Sequence, residues 1–228
     1  MMMTGRAGDG YTTPMEDYLK VIYEIERRAG AAGTNDIAQQ LSIAPASVSG
    51  MVRRLADQGL LEHERYRGVR LTEEGRRVAL RTLRRHRVIE AYLLHALGYP
   101  WDRVHDEAEH LEHAASDELI DRMAAAIGEP ATDPHGAPIP TRLGEIDEGP
   151  HLATISELAA GERCRVVRVS DDDAPRLRYL GEVGLVPGAE VVLLARAPFG
   201  GPLALLVDGV ERSIGPTLGS CVMIETSE

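Results

Sequence analysis

The sequence predicts a mainly α chain with a small β domain: an N-terminal winged helix-turn-helix, a helical region able to pair into a dimer, and a C-terminal SH3-like barrel. Three observations lead there. Between Thr34 and Gln58 a short helical segment, a tight turn and a longer helical segment follow one another, the helix-turn-helix layout. From Leu152 helical periodicity gives way to short apolar runs separated by glycine and proline. The charge is also segregated: the net is −11, yet Ala44–Glu90 holds 11 arginines against 6 acids, while from Ala91 onward 10 arginines face 24 acids. A basic segment on an acidic chain is the footprint of a DNA-binding module beside a separate sensing region.

Composition excludes several classes. With 228 residues and only 4% aromatics, the core must be aliphatic and is large enough for more than one domain. No run of about 18 apolar residues exists, so no membrane span is expected. Met1–Tyr11 is polar and glycine-rich and lacks the apolar core of a signal peptide, so a cytoplasmic location is expected. Cys164 and Cys221 form no Cys-x-x-Cys pair and read as two buried thiols on strands rather than a zinc or redox site.

Met15–Ala29 is predicted as an amphipathic helix, with Tyr18, Val21, Ile22 and Ile25 at helical spacing and Pro14 just before it. Thr34 is the candidate N-cap of a helix Asn35–Leu41, and Ser42-Ile43-Ala44 makes the turn. Pro45–Gln58 is the second helix, with Val48, Met51, Val52 and Leu55 facing inward. Its early outward positions, Ser47, Ser49 and Gly50, are small or polar and suit base edges, while Arg53 and Arg54 reach phosphates. An ordinary helical hairpin is the competing reading of this stretch alone. Glu62–Leu71 suggests two short strands around Tyr66-Arg67-Gly68, a wing made basic by Arg65, Arg67 and Arg70.

Thr72–Leu97 reads as one long helix, acidic at its start and basic further on, as the helix dipole favours. Helices from Trp101 and from Ser116 complete the α region. Leu93, Leu94, Leu97, Leu119, Ile120 and Met123 exceed what a small winged helix needs and predict a dimer interface.

The stretch His105–His113 organises the rest. On a helix, His105, Glu109, Glu112 and His113 fall within an arc of roughly 100°, two imidazoles and two carboxylates suited to a divalent cation. A solvated charged face is the bland alternative. His86 and Glu90, four apart, make a second possible metal pair. The peptidase pattern His-Glu-x-x-His is absent. Gly128–Pro150, with five prolines, reads as a linker or wrapped loop. Beyond it, Cys164–Val169, Ala189–Ala197, Pro202–Val207 and Cys221–Glu225 read as four strands, and the roughly 75 residues from Leu152 fit a five-stranded small barrel of the SH3 type with nothing catalytic in it. The expected domains are 1–72, 73–140 and 152–228, with 141–151 as linker.

With those residues in view, the chain resembles the diphtheria-toxin-repressor family of metal-dependent bacterial repressors. The resemblance is carried by Thr12-Thr13-Pro14-Met15-Glu16-Asp17-Tyr18-Leu19, Ser47-Val48-Ser49, Tyr66-Arg67-Gly68 with Leu71-Thr72, Val104–Ala108 before Glu112-His113, and Asp133–Pro140. It implies a homodimer that binds a palindromic double-stranded DNA operator when a divalent metal is bound, and no enzyme. The implied regulatory site is Asp17, Glu109, Glu112 and His113. The implied ancillary site is His86, Glu90 and His105, with Asp173 aligned as a ligand from the SH3-like domain and Arg176 at a further ligand position that it cannot fill. Carboxylates stand at the positions of Asp17 and Glu109 where the iron branch has sulfur donors, which favours Mn²⁺ with Fe²⁺ as the alternative. Met15 is a rival ligand to Asp17. The manganese branch has a further glutamate where Lys20 stands, which puts a binuclear site in question. Without metal, the gathered carboxylates are expected to repel and leave the first helix loose.

Other classes compete. A metal-independent winged-helix regulator sensing an organic ligand leaves Asp17 and the His105–His113 face unexplained. A metalloenzyme with Glu107 or Glu109 as base lacks a nucleophile constellation. A peptide-binding adaptor lacks the aromatics for a proline groove, with only Tyr179 and Phe199 after Leu152.

Overall fold

The computed structural model describes residues 10–64, 68–150, 152–170 and 173–226. Helix α1 (Thr13–Ala29) begins two residues before the predicted Met15, since Pro14 is tolerated in its first turn. It stops where Gly30 turns left-handed at φ 81° and its N–H bonds back to the Glu26 carbonyl. Helix α2 (Thr34–Gln40) is capped by Gly33, so Thr34 is its first residue rather than its cap. Ser42, at φ 54°, makes the turn into α3 (Pro45–Asp57), and the Ile43 N–H closes it on the Ala38 carbonyl at 3.0 Å. Leu19, Ile22, Ile37, Val48 and Leu55 are fully buried where the three helices meet. Met51, expected inside with them, is only half-buried.

The wing strands are β1 (Leu61–Glu64) and β2 (Gly68–Leu71), paired antiparallel with Leu61 opposite Leu71. Arg65 and Arg67 lie outside the described residues. The hairpin is pinned to the loop between α1 and α2, where Ala32 and Val69 exchange backbone hydrogen bonds of 2.8 and 3.0 Å. Gly68 permits that approach: its φ is 120°, and a Cβ there would stand 2.0 Å from the Ala32 carbonyl oxygen. Gly68→Ala is expected to cost about 3 kcal/mol or more through strain and loss of this clamp. Urea unfolding checks it; an unchanged midpoint would show that the wing is not held there.

Helices α4 (Glu73–Leu97), α5 (Val104–Leu111) and α6 (Asp117–Ala126) follow. Of the side chains expected to form a dimer face, Leu97 and Leu119 are exposed at 58% and 43%, whereas Leu93 and Ile120 are buried within the protomer. The C-terminal region holds β3 (Ala153–Thr154), β4 (Arg163–Val169), α7 (Ala174–Val183), β5 (Glu190–Arg196), β6 (Leu203–Val207), β7 (Val210–Ile214), the single turn α8 (Pro216–Gly219) and β8 (Val222–Thr226). Its strands form one antiparallel six-stranded sheet in the order β3-β8-β4-β5-β6-β7. The small antiparallel β fold is as expected, but the sheet has six strands rather than five, because β3 and β7 join the four runs read from sequence, and α7 is a further addition. Cys164 is buried on β4, and burial with Glu162 nearby pushes its thiol up to about 11. Cys221, expected to be a buried strand residue, is instead partly exposed just before β8.

The described residues pack as two compact units. The first is the described part of Met1–His86 with Glu109–Asp121 and Pro140–Ile146; the second is Arg87–Ala108, Arg122–Ile139 and the described part of Asp147–Glu228. The proline-rich segment is therefore not a free linker. Ile146 packs on the first core. In the second unit the Asp133 carboxylate accepts from the His135 and Ala137 N–H groups at 2.8 and 3.0 Å, and Val169 N–H donates to the His135 carbonyl at 2.9 Å. In that unit Trp101 also packs against the β-domain core, in space left by Gly181 of α7. Among the described residues, no helix is long and apolar enough to cross a membrane.

Candidate metal centre

Within the first unit, α1 and the residues Glu109–His113 build a cluster of acids, imidazoles and one ammonium. Asp17 and Lys20 are three apart and share a face of α1. Helix α5 ends at Leu111, so Glu112 and His113, expected on its face, lie in the turn beyond it. That turn carries Glu112 fully inward, with its side chain 0% exposed. His113 Nε2 stands 2.8 Å from Asp17 Oδ1 and 3.3 Å from Glu112 Oε1. These three residues each offer a donor atom within 4.8 Å of the others. Around a cation with bonds of about 2.0–2.3 Å, neighbouring donors stand roughly 3 Å apart, so the group fits a divalent ion.

The other ring nitrogen of His113 is fixed by a residue that sequence reasoning missed. Glu16 Oε2 lies 2.7 Å from His113 Nδ1, and its Oε1 lies 3.5 Å from the Arg85 guanidinium. Arg85 is in turn held by Asp117 at 2.9 Å. A buried carboxylate behind an imidazole sets its orientation and raises its strength as a ligand. The available signal is that Glu16 directly precedes Asp17 inside the motif.

Glu109, expected as a fourth ligand, is held elsewhere. Lys20 Nζ lies 2.7 Å from Glu109 Oε1 and 2.7 Å from Glu112 Oε1. His86, expected in the ancillary site, stands in the first unit instead: its Nδ1 lies 2.5 Å from Glu112 Oε2 and 3.5 Å from Glu109 Oε1. The expectation that the carboxylates repel without metal is thereby overturned: Lys20 and His113 neutralise them and tie α1 to the turn after α5.

The electrostatics agree. Burial opposes the Lys20 charge, but Glu112 and Glu109 outweigh it and hold the ammonium above its usual range. Burial pushes the Glu112 carboxyl up, yet His86 and Lys20 bring it below the usual carboxylate range. Burial likewise works against a charged His113, but Asp17, Glu16 and Glu112 raise it from 6.5 to about 9. The metal-free imidazole is therefore protonated at neutral pH, and it must lose that proton to ligate. Metal affinity is expected to rise by about tenfold per pH unit up to about pH 9, with about one proton released per ion. Metal-free stability has the opposite sign. The contribution of His113 is complete below its ordinary 6.5 and is lost as pH rises through about 9. Calorimetric Mn²⁺ titration in buffers of different ionisation enthalpy counts the proton; zero protons at pH 7 would remove His113 from the ligand set.

The second unit holds a separate group of donors. His105 Nδ1 lies 3.3 Å from Glu90 Oε1, which is also 3.9 Å from His135 Nδ1. His135 Nε2 lies 2.9 Å from the Trp101 carbonyl, and Asp133 lies 3.5 Å from the Arg87 guanidinium. Glu90, Asp133 and His135, all buried, again offer atoms within 4.8 Å of one another. Asp173, expected as an ancillary ligand, caps α7 instead: its Oδ1 accepts from the Arg176 N–H at 2.9 Å and its Oδ2 lies 3.5 Å from the Arg176 guanidinium. On α3, Ser47, Ser49, Gly50, Arg53 and Arg54 are all exposed above the buried row Val48, Val52 and Leu55. A Cβ on Gly50 would meet nothing within 4 Å, so internal packing does not demand glycine there.

Comparison with known proteins gives matches along nearly the whole chain. Residues 11–69 match the model described as the iron-dependent repressor N-terminal DNA-binding domain, and residues 72–141 that of its metal-binding and dimerisation domain. Residues 153–226 match the FeoA domain. The iron-dependent repressor IdeR of Mycobacterium tuberculosis is 33% identical over 209 residues, covering 86% of this chain and 90% of that protein. The HTH-type transcriptional regulator MntR of Lysinibacillus sphaericus is 38% identical over 116 residues, covering 51% of this chain and 83% of that protein. A solved manganese-dependent transcriptional repressor in complex with manganese has a TM-score of 0.84 at 36% identity, covering 93% of this chain and 100% of that one. For T. acidophilum IdeR the TM-score is 0.76 at 31% identity, over 93% of this chain and 97% of that one.

Proposed function

Since the chain belongs to the iron-dependent repressor family of metal-dependent DNA-binding regulators, we propose that it is a cytoplasmic repressor activated by Mn²⁺, with Fe²⁺ as the alternative ion. The relatives it matches are an iron-dependent repressor and an HTH-type transcriptional regulator, which supports a regulatory role over an enzymatic one. Residues 1–72 are assigned to DNA binding, 73–140 to metal binding and dimer formation, and 152–228 to the small β domain. The exposed Leu97 and Leu119 support a homodimer, and a two-fold dimer suits a palindromic operator with half-sites about 34 Å, or a multiple, apart.

The observation that carries the reading is the convergence of Asp17, Glu112 and His113 on one point, with Glu16 behind the imidazole. All the donors are carboxylate or imidazole. A hard set of this kind suits Mn²⁺ better than one containing sulfur. When bound, a divalent cation supplies a positive centre that neutralises Asp17 and Glu112. Asp17 then holds α1, and with it the helix-turn-helix, to Glu112 and His113. His113 gives up the proton that bridges it to Asp17. The population shifts toward one placement of α3 in each protomer. Glu90 and His105 are assigned to an ancillary site in the second unit.

Fluorescence anisotropy on DNA from upstream of the protein's own gene tests this. Metal-stripped protein is titrated with Mn²⁺, with Fe²⁺ under anaerobic conditions, and with chelator retained. Binding is expected only with metal, and at lower free Mn²⁺ than Fe²⁺. Equal binding in chelator overturns the metal switch and brings forward a regulator sensing an organic ligand.

A further inference from the structure

One half of the metal centre already contains a positive charge. Lys20 Nζ lies 2.7 Å from a carboxylate oxygen of Glu109 and 2.7 Å from one of Glu112, and Lys20 is only 7% exposed. On the same face of α1, Asp17 faces the other half, where His113 Nε2 stands 2.8 Å from Asp17 Oδ1. Glu112 is the wall between the halves. Its Oε1 faces both Lys20 Nζ and, at 3.3 Å, His113 Nε2, and its Oε2 is 2.5 Å from His86 Nδ1. The Lys20 half thus has two carboxylates and an imidazole, a donor set as rich as that of Asp17, Glu112 and His113. Its centre is filled by an ammonium, which has no lone pair to ligate and repels any cation brought close.

We propose that the Lys20 ammonium is a built-in second cation of this centre, so that Glu109 and Glu112, the latter also held by His86, flank a tethered positive charge and only the Asp17–Glu112–His113 half takes a divalent ion. The inference rests on the metal reading above and adds to it the number of ions and the residue that sets it. A lysine on α1 is present at all metal concentrations. It joins α1 to Glu109 and Glu112 before any ion binds, and it leaves one binding event to complete the closure. Occupancy of the centre then follows the first power of free metal rather than the second.

The test compares wild type, Lys20→Gln and Lys20→Arg, each loaded with excess Mn²⁺. Bound metal is counted by elemental analysis, folding is checked by circular dichroism, and the ions are examined by low-temperature electron paramagnetic resonance. Two Mn²⁺ ions bridged by the Glu112 carboxylate are exchange-coupled and give a spectrum distinct from isolated ions. An ion elsewhere in the protein raises the count without that coupling, so the coupled spectrum is the criterion. Wild type and Lys20→Arg are expected to show isolated Mn²⁺ only, and Lys20→Gln to gain about one ion per protomer together with the coupled signal. A coupled signal from wild type overturns the proposal while leaving the metal reading intact. A folded Lys20→Gln variant that gains no coupled ion overturns it as well. Wild type that binds no Mn²⁺ overturns the metal reading itself and the proposal with it. Should Lys20→Gln fail to fold, the wild-type spectrum still decides.

Discussion

Glu112→Gln is expected to abolish metal-dependent DNA binding while leaving the protein folded. The side chain is fully buried and faces three partners at once: Lys20 at 2.7 Å, His86 at 2.5 Å and His113 at 3.3 Å. Glutamine has nearly the same shape. Its carbonyl can keep the hydrogen bond from Lys20, and its amide can donate to His86. What it lacks is the negative charge that a divalent ion needs opposite Asp17. Removing a group that supports a metal ligand typically costs 10–100-fold in affinity, so removing a direct ligand is expected to cost on the order of 100-fold or more. Glu112→Ala is a poorer test, because it leaves the buried Lys20 with Glu109 alone. Breaking a buried ion pair in that way costs about 3–5 kcal/mol, so an absence of DNA binding could report unfolding. Anisotropy against free Mn²⁺, run beside thermal unfolding of the metal-free protein, separates the two effects. A folded Glu112→Gln protein that still answers to Mn²⁺ at the wild-type concentration would falsify the assigned site.

The features legible in the sequence are those set by local pattern. The alternation of small polar and aliphatic residues in α3 puts Ser47, Ser49, Gly50, Arg53 and Arg54 outside and Val48, Val52 and Leu55 inside, and the structure has that arrangement. The features that are not legible depend on distant partners. Lys20 reads locally as a missing ligand, yet it meets Glu109 and Glu112 from 89 and 92 positions away, and only that meeting makes it a resident cation. Glu16 reads as an acid in the first turn of a helix, where the dipole alone accounts for it; its burial against His113 and Arg85 is tertiary. Asp173 is the opposite case. Asp173-Ala174-Pro175 is a local helix-start signal, an N-cap followed by proline in the first turn, and it is obscured when the acidic run is aligned with a metal ligand. Strand β7, Val-Glu-Arg-Ser-Ile, lies at the edge of the sheet with most of its side chains exposed, so it lacks the apolar run that marks its neighbours.

The exposed arginines of α3 give the second large effect. In Arg53→Ala/Arg54→Ala, affinity for operator DNA is expected to fall by about 10–100-fold, and to a similar degree on unrelated sequences, because phosphate contacts carry no sequence information. The dependence of log affinity on log salt should flatten by about 0.9 for each phosphate no longer neutralised, roughly 2 per protomer. Stability should change by no more than about 0.5 kcal/mol, since neither side chain supports the core. Metal affinity should not move, because Asp17, Glu112 and His113 are untouched. Ser47→Ala provides the contrast: a side chain at the base edges should alter discrimination between operator and mismatched sites by about 1–3 kcal/mol while leaving the salt slope in place. Anisotropy between about 50 and 200 mM salt, on operator and scrambled DNA, separates readout of the bases from attraction to the phosphates. A double-alanine variant with the wild-type salt slope would show that this end of α3 does not lie along the phosphates. The wing hairpin would then have to carry the backbone contacts, and the helix would have to enter the groove by another face.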